Sequence, residues 1–372
     1  MPCNSRSPAR SSIVPARRAP ADPAVAAGVS LRMVARVAGV STATVSRAMN
    51  TPERVSEALR ERIASVVDRL GWVPHGAARA LATRRTGTIG AVFPTLTHGD
   101  FARALEGLQG ELTRLGYRLL LACSEYSLDQ EYQQVRKLVE RGVDAVLLVG
   151  ALHHPELRPF LDRRAVPVLD SFVFDRDHPG ASVGPDNRRA LFRLTEHLIA
   201  LGHRRFGVIA QETATNDRAR ARLEGIRAAL AQHSLAVPPA HFAEGRWTIR
   251  EGRELFRRIA TTDPAPTAVI CGNAWLAVGA MLESQALGID VPGALSIAGY
   301  DDIEIMAELP IPITTVRVLS DEVGRRAARH LVARIEGRAP SDAFECEAEI
   351  VLRASSGPAP GGPPLPPRSG QS

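Results

Sequence analysis

The chain has 372 residues, 45% of them hydrophobic, and a formal net charge of +6; that length and composition fit two or three cores rather than one. No run of 18 or more apolar residues occurs, which argues against a membrane span, and Cys3, Cys123, Cys271 and Cys346 lie too far apart for a paired metal or redox motif, as expected in a reducing cytoplasm. Residues 30–85 carry ten arginines against four acids, so the basic end is the expected nucleic-acid end.

Residues 1–29 mix Ser, Pro, Ala and Arg without the apolar core of a secretory signal, and read as a disordered basic tail or an over-extended start. Residues 34–50 then predict two short helices broken at Gly39. Val34, Val37 and Ala38 mark one inward face, and Val45, Ala48 and Met49 a second. Gly39 can take the left-handed conformation that closes a helix, and Ser41 can cap the next one. The outer face of that second helix carries Thr42, Thr44, Ser46, Arg47 and Asn50, hydrogen-bonders suited to phosphates and base edges, and no acid. An ordinary helical hairpin would share this length, so the flanking sequence decides. A third helix begins after Ser56, with Leu59, Ile63, Val66, Val67 and Leu70 at helical spacing and Gly71 as its stop. Residues 72–82 follow, alanine-rich and entered through Pro74, too weakly apolar to hold a helix without a partner.

At this point the chain resembles the lactose/galactose-repressor family of bacterial transcription regulators. The resemblance runs from about Leu31 to about Arg353. It rests on the helix-turn-helix, the Leu70-Gly-Trp-Val-Pro74 entry, Ile89-Gly90, Gly299-Tyr-Asp-Asp302 and Thr314-Thr-Val-Arg317. Pro52-Glu-Arg-Val-Ser56, Val183-Gly-Pro-Asp-Asn187 and Asp170 look most like the gluconate-repressor branch. The resemblance implies that residues 74–87 form a hinge helix and linker ordered on DNA, with Leu81 wedging into the minor groove. It also places Ser41, Thr42, Ala43, Thr44, Ser46, Arg47, Asn50 and His75 at the DNA. Three positions depart from the family pattern: Met33 for an aspartate, His75 for an asparagine, and Ala274 where an Asn-Asp pair is common.

From residue 88 onward strands and helices alternate. Apolar runs at 88–93, 118–122, 143–149, 166–169, 206–210, 268–271 and 295–298 read as strands, most of them separated by amphipathic helices. The fold class is therefore α/β: an N-terminal helix-turn-helix domain (30–73) and a two-lobed, doubly wound parallel-sheet effector module (88–354), similar to periplasmic binding proteins, before a Pro- and Gly-rich tail (355–372) read as disordered. A break near Pro185-Asp186 separates the lobes, and the family implies crossings near Pro310 and Arg334. The Leu-rich helix at 101–115 is the dimer surface that the resemblance implies.

Ligands of open α/β sheets bind beyond the carboxyl ends of strands. Asp170, Asn273 and Asp301 stand at such exits, while Arg222, Trp247 and Phe101 match the family's ligand-binding positions. Carboxylates, an amide, an arginine fork and an aromatic face together suit a polyhydroxylated ligand, a sugar or a sugar acid. The plainer readings are a turn cap for Asp301, core for Trp247, a helix surface for Arg222 and a loop acid for Asp170. His153-His154 lacks an accompanying ligand set, so no metal is read, and no cofactor is implied because no phosphate-binding or nucleophile motif occurs. The expected function is a cytoplasmic, ligand-responsive repressor acting as a homodimer on a pseudo-palindromic operator, because one helix-turn-helix covers only a half-site. A sugar-binding protein without a regulatory role and an enzyme on the same two-lobed fold are the alternatives from other classes; a neutral-sugar or purine effector is the alternative within this one.

Overall fold

A computed structural model describes residues 29–72, 85–175, 180–338 and 343–361. Contacts divide the chain into a unit within residues 1–82 and a second within 83–372. The tail at 1–28 and the hinge reading, with His75 and Leu81, lie outside the described residues.

The first unit is three helices: α1 (Leu31–Val37), α2 (Thr42–Asn50) and α3 (Glu57–Leu70). The Ser30 and Ser41 side chains accept the Met33 and Thr44 amides, satisfying orphan donors at the starts of α1 and α2. Gly39 (φ +62°) makes the turn and Gly71 (φ +60°) ends α3, both left-handed, as glycine permits. Val34, Ala35, Ala38, Val45, Ile63, Val66 and Trp72 form the core. Val37 and Met49, read as inward from the sequence, are instead 43% and 41% exposed. The core-facing stripe of α1 runs through positions 34, 35 and 38, and at 100° per residue Val37 falls outside it.

The second unit opens with β1 (Thr88–Phe93), α4 (Gly99–Arg114), β2 (Arg118–Cys123), α5 (Leu128–Glu140), β3 (Ala145–Val149), α6 (Leu157–Asp162), β4 (Val168–Ser171) and β5 (Ser182–Gly184). It continues through α7 (Asn187–Ala200), β6 (Phe206–Gln211), α8 (Asp217–Gln232), β7 (Phe242–Gly245), α9 (Ile249–Ala260), β8 (Ala268–Cys271), α10 (Ala274–Ala286) and β9 (Ser296–Ala298). The last elements are α11 (Ile305–Glu308), β10 (Thr315–Val318), α12 (Ser320–Ile335), β11 (Ala343–Glu345) and β12 (Ala348–Val351). Two parallel sheets result, ordered β11-β5-β4-β3-β1-β2 and β7-β6-β8-β9, with β10 and β12 paired antiparallel between them.

The inner strands of each sheet are buried on both faces, which is why they read as continuous apolar runs, while the edge strand β2 is half-exposed. Along β1 and β3, Ile89, Ala91, Ala145 and Leu147 face α4 and α12, while Val92, Val146 and Leu148 face α5 and α6. In the second sheet Val208 and Ile270 share a core with Leu194 and Ile226, and Ile209 and Val269 pack with Phe256 and Met281.

Three sequence expectations change. The leucine face of α4 is not free for a partner: Leu108 and Leu112 are fully buried. There α4 and α12 meet at Gly107 and Gly324, where an added Cβ would stand 2.1 Å from the Asp321 carbonyl oxygen and 1.9 Å from that of Ala104. The return to the second lobe comes after β11, not near Arg334, because β11 first adds to the edge of the larger sheet and the Cys346 amide bonds the Gly184 carbonyl. Residues 355–361 belong to the fold: the Ser355 hydroxyl donates to the Ile297 carbonyl at 2.6 Å, and the Ala359 amide to that of Leu201 at 2.9 Å.

Candidate effector site and nucleic-acid interface

Strand exits and helix starts of both sheets converge on one small cavity in the second unit. From the first lobe come His98 and Asp100 at the start of α4, Phe101, and Tyr126 after β2; from the second come Gln211 at the end of β6, Arg218 and Arg222 one turn apart on α8, and Tyr300 and Asp301 after β9. Asp301 adopts a left-handed φ of +69°, and its carbonyl accepts the Thr315 hydroxyl at 2.5 Å. The volume left is about 30 Å³, room for a water or two but not a sugar.

The polar groups are ordered by a few contacts. Asn187, the first residue of α7, accepts both the Arg222 guanidinium at 2.9 Å and the Tyr300 hydroxyl at 3.1 Å. Arg222 also lies over the Tyr300 ring, 4.4 Å from its centre. His98 Nε2 and Asp301 Oδ2 stand 3.2 Å apart and link the lobes. Burial and the neighbouring Asp301 carboxylate push the Asp100 acid well above its usual range. Burial works against the Asp301 carboxylate too, yet His98 and Arg222 hold it below the usual range. Three buried atoms here have no hydrogen-bond partner: His98 Nδ1, Asp100 Oδ2 and Arg222 Nε. Unmet polar groups of this kind are costly, and their concentration around one cavity points to a polar ligand.

Of the effector residues expected from sequence, Phe101, Arg222 and Asp301 line this cavity. Trp247 stands one shell away, its ring 4.3 Å from that of Tyr126. Asn273 caps α10 through the Leu276 amide at 3.0 Å, and its own amide donates to the cavity-lining Gln211 at 3.4 Å. Asp170 does not reach the cavity. Side chains alternate along a strand, so with Leu169 facing the α4 core Asp170 turns to the opposite face, where it is fully buried against His153 and Arg158. Sequence reasoning missed His98, Asp100, Tyr126, Gln211 and Arg218, although the strand-exit rule would have drawn Gln211, and helix periodicity would have placed Arg218 one turn before Arg222.

In the first unit, α2 presents Thr42, Ala43 and Arg47 to solvent. Ser41 and Thr44 are tied to one another, hydroxyl to hydroxyl at 2.9 Å, and Thr44 and Ser46 are half-buried. The face thus offers one cation and short polar groups with no carboxylate among them, the requirement for approach to a phosphate backbone.

The family model for bacterial regulatory proteins of the lacI family matches residues 30–75, and that for a periplasmic binding protein-like domain matches residues 195–356. The HTH-type transcriptional regulator GntR of Escherichia coli K12 is 31% identical over 309 residues, 82% of this chain and 92% of that one. The HTH-type transcriptional repressor PurR of Vibrio parahaemolyticus is 30% identical over 329 residues, 87% of this chain and 97% of the other. Among solved structures, a LacI-family transcriptional regulator from Silicibacter pomeroyi superposes with a TM-score of 0.79 at 27% identity, covering 88% of this chain and 99% of its own.

The Asp170 network makes a pH prediction. His153 is bonded to Glu131 through Nδ1 (2.8 Å) and to Asp170 through Nε2 (3.2 Å), and Asp170 also pairs with Arg158. Burial opposes charge on the ring, but the two carboxylates win and raise its pKa to about 9. A folded pKa above the unfolded ~6.5 stabilises the fold fully below pH ~6.5, by on the order of 3 kcal/mol, and that contribution is lost as pH rises through about 9. The unfolding temperature should fall by several degrees between pH 7 and pH 10, and His153→Gln should flatten that dependence. An equally steep fall in the variant would contradict the assignment.

Proposed function

Because the chain belongs to the lacI family of bacterial regulatory proteins and is a ligand-responsive, DNA-binding transcriptional regulator, we propose that its effector is a sugar acid of the gluconate type, bound in the cavity between the lobes. The observation that carries this is the polarity of that cavity: Arg218 and Arg222 on α8 supply cationic donors, and the Asp100–Asp301 pair at the α4 and β9 ends supplies acceptors for hydroxyls. An arginine fork suits a carboxylate, and Phe101 and Tyr126 offer apolar faces to a sugar's C–H side. The present volume requires the lobes to separate for entry, so the occupied and empty arrangements differ at the His98–Asp301 contact.

In the same reading the regulator works as a homodimer, whose two-fold axis matches a pseudo-palindromic operator. With the α4 leucines committed to α12, the surface offered to a second copy is the outer strand β2, where Leu121 is 37% exposed and Leu119 and Leu120 are half-buried. At the DNA, Thr42, Ala43 and Thr44 open the recognition helix toward base edges, and Arg47 anchors a phosphate.

Arg47→Ala should weaken selected-operator and random-sequence binding alike and lower the salt slope by about one unit, the share of a single neutralised phosphate. An unchanged slope with altered base preference would reverse the roles. For the effector, thermal unfolding with gluconate, neutral sugars and purines decides: gluconate at 100 times its Kd stabilises the folded protein by about 2.7 kcal/mol, and Arg222→Ala abolishes the shift. Stabilisation by a neutral sugar or a purine alone would discard the acid.

A further inference from the structure

We propose that His98, Asp100 and Asp301 form a site for one divalent first-row transition cation, bridging the two lobes. The three side chains each place a ligand atom within 4.8 Å of the others, and all are buried. Bonds of ~2.0–2.2 Å to nitrogen and oxygen set ligand atoms about 3 Å apart when adjacent and just over 4 Å when opposite. His98 Nε2 and Asp301 Oδ2, at 3.2 Å, already match an adjacent pair.

A second observation singles out an occupant. Asp100 is 2% exposed and lines the cavity, yet its Oδ2 has no donor. The carboxylate facing it comes from the other lobe, and Asp100 is otherwise approached by the Ser320 hydroxyl and by the charge of Arg103. Two buried carboxylates this close need a proton or a cation between them. The cationic side chains nearby spend their hydrogen bonds elsewhere, Arg222 on Asn187 beside the Tyr300 ring and Arg103 on the Asp302 carbonyl at 3.2 Å, and act on the pair through their charge. One imidazole with two carboxylates suits Mn²⁺, Fe²⁺, Co²⁺ or Zn²⁺ better than Ca²⁺ or Mg²⁺, which favour oxygen alone. His98 and Asp100 belong to the first lobe and Asp301 to the second, so a bound cation would hold the cleft closed. Asp301 lies far along the chain from the other two, and no sequence spacing could reveal the set.

The test uses the full chain, stripped with EDTA, desalted and titrated with Mn²⁺ in the absence of any sugar, with free Mn²⁺ counted by electron paramagnetic resonance. The expected result is one tight Mn²⁺ per chain, displaced by Zn²⁺, with affinity reduced ~10-fold or more in His98→Gln and in Asp100→Asn. Mn²⁺ should also raise the unfolding temperature of the parent but not of the variants. Absence of stoichiometric binding overturns the proposal, and so does Mn²⁺ binding that both variants retain, which would mark adventitious surface sites. Should His98→Gln fail to fold, Asp100→Asn decides alone, because it removes one charge from a like-charged pair. The cation would draw on the same Asp100 and Asp301 oxygens that the effector reading assigns to hydroxyls, but the titration contains no sugar, so its failure leaves that reading standing.

Discussion

Asp301 and Asp302, adjacent in the chain, pull in two directions, and the geometry of the second unit depends on that division. The left-handed turn at Asp301 sends its carboxylate into the cleft toward His98. Asp302 turns toward the crossing strands, where Arg353 grips both of its oxygens at 2.7 and 3.0 Å and Arg317 bonds Oδ2 at 2.8 Å. A left-handed non-glycine residue costs of order 1–3 kcal/mol and persists only where surrounding contacts over-determine it. Here those contacts include two arginines on Asp302 and the Thr315 hydroxyl on the Asp301 carbonyl. Asp301 is thus tied, through its carbonyl and its neighbour Asp302, to β10 and to the segment after β12, which join the lobes.

The rest of the frame is rigid where this junction needs support. The Gly107–Gly324 crossing lets α4 and α12 approach backbone to backbone, fixing the helix that carries His98, Asp100 and Phe101. Gly225 does the same for α8, since a Cβ there would stand 2.1 Å from the Arg188 carbonyl oxygen, and α8 carries Arg218 and Arg222. Both sides of the cavity thus rest on helices locked to a neighbour, and the contacts across it include polar pairs and the tilted Tyr126–Trp247 ring pair.

Much of this is legible in the sequence, for identifiable reasons. The seven strands expected from apolar runs all form; most are buried on both faces, and the half-exposed β2 still reads as an apolar run. The short strands β5, β7, β10, β11 and β12 are not legible: three or four residues, all but those of β5 at sheet edges or crossings, carry little periodicity. Gly39, Ser41 and Gly71 act locally, so their roles as turn, cap and stop can be read directly, whereas Val37 and Met49 mislead because three short helices bury only a narrow stripe. In the site, Arg222 and Asp301 emerge from family pattern and strand position. Asp170 fails because a strand exit does not say which face a side chain takes. His98 and Asp100 escape sequence reading because their meaning depends on Asp301, brought near them only by the tertiary fold.

The central claim is that occupancy of the Asp301 cavity changes the grip on DNA. Its most direct test is the affinity of the full chain for its selected operator, measured by fluorescence anisotropy at fixed salt with and without saturating gluconate. A coupling of about 1–3 kcal/mol predicts a ~5- to 150-fold change in the parent and none in Arg222→Ala. Gluconate that binds stoichiometrically yet leaves operator affinity unchanged would contradict the account.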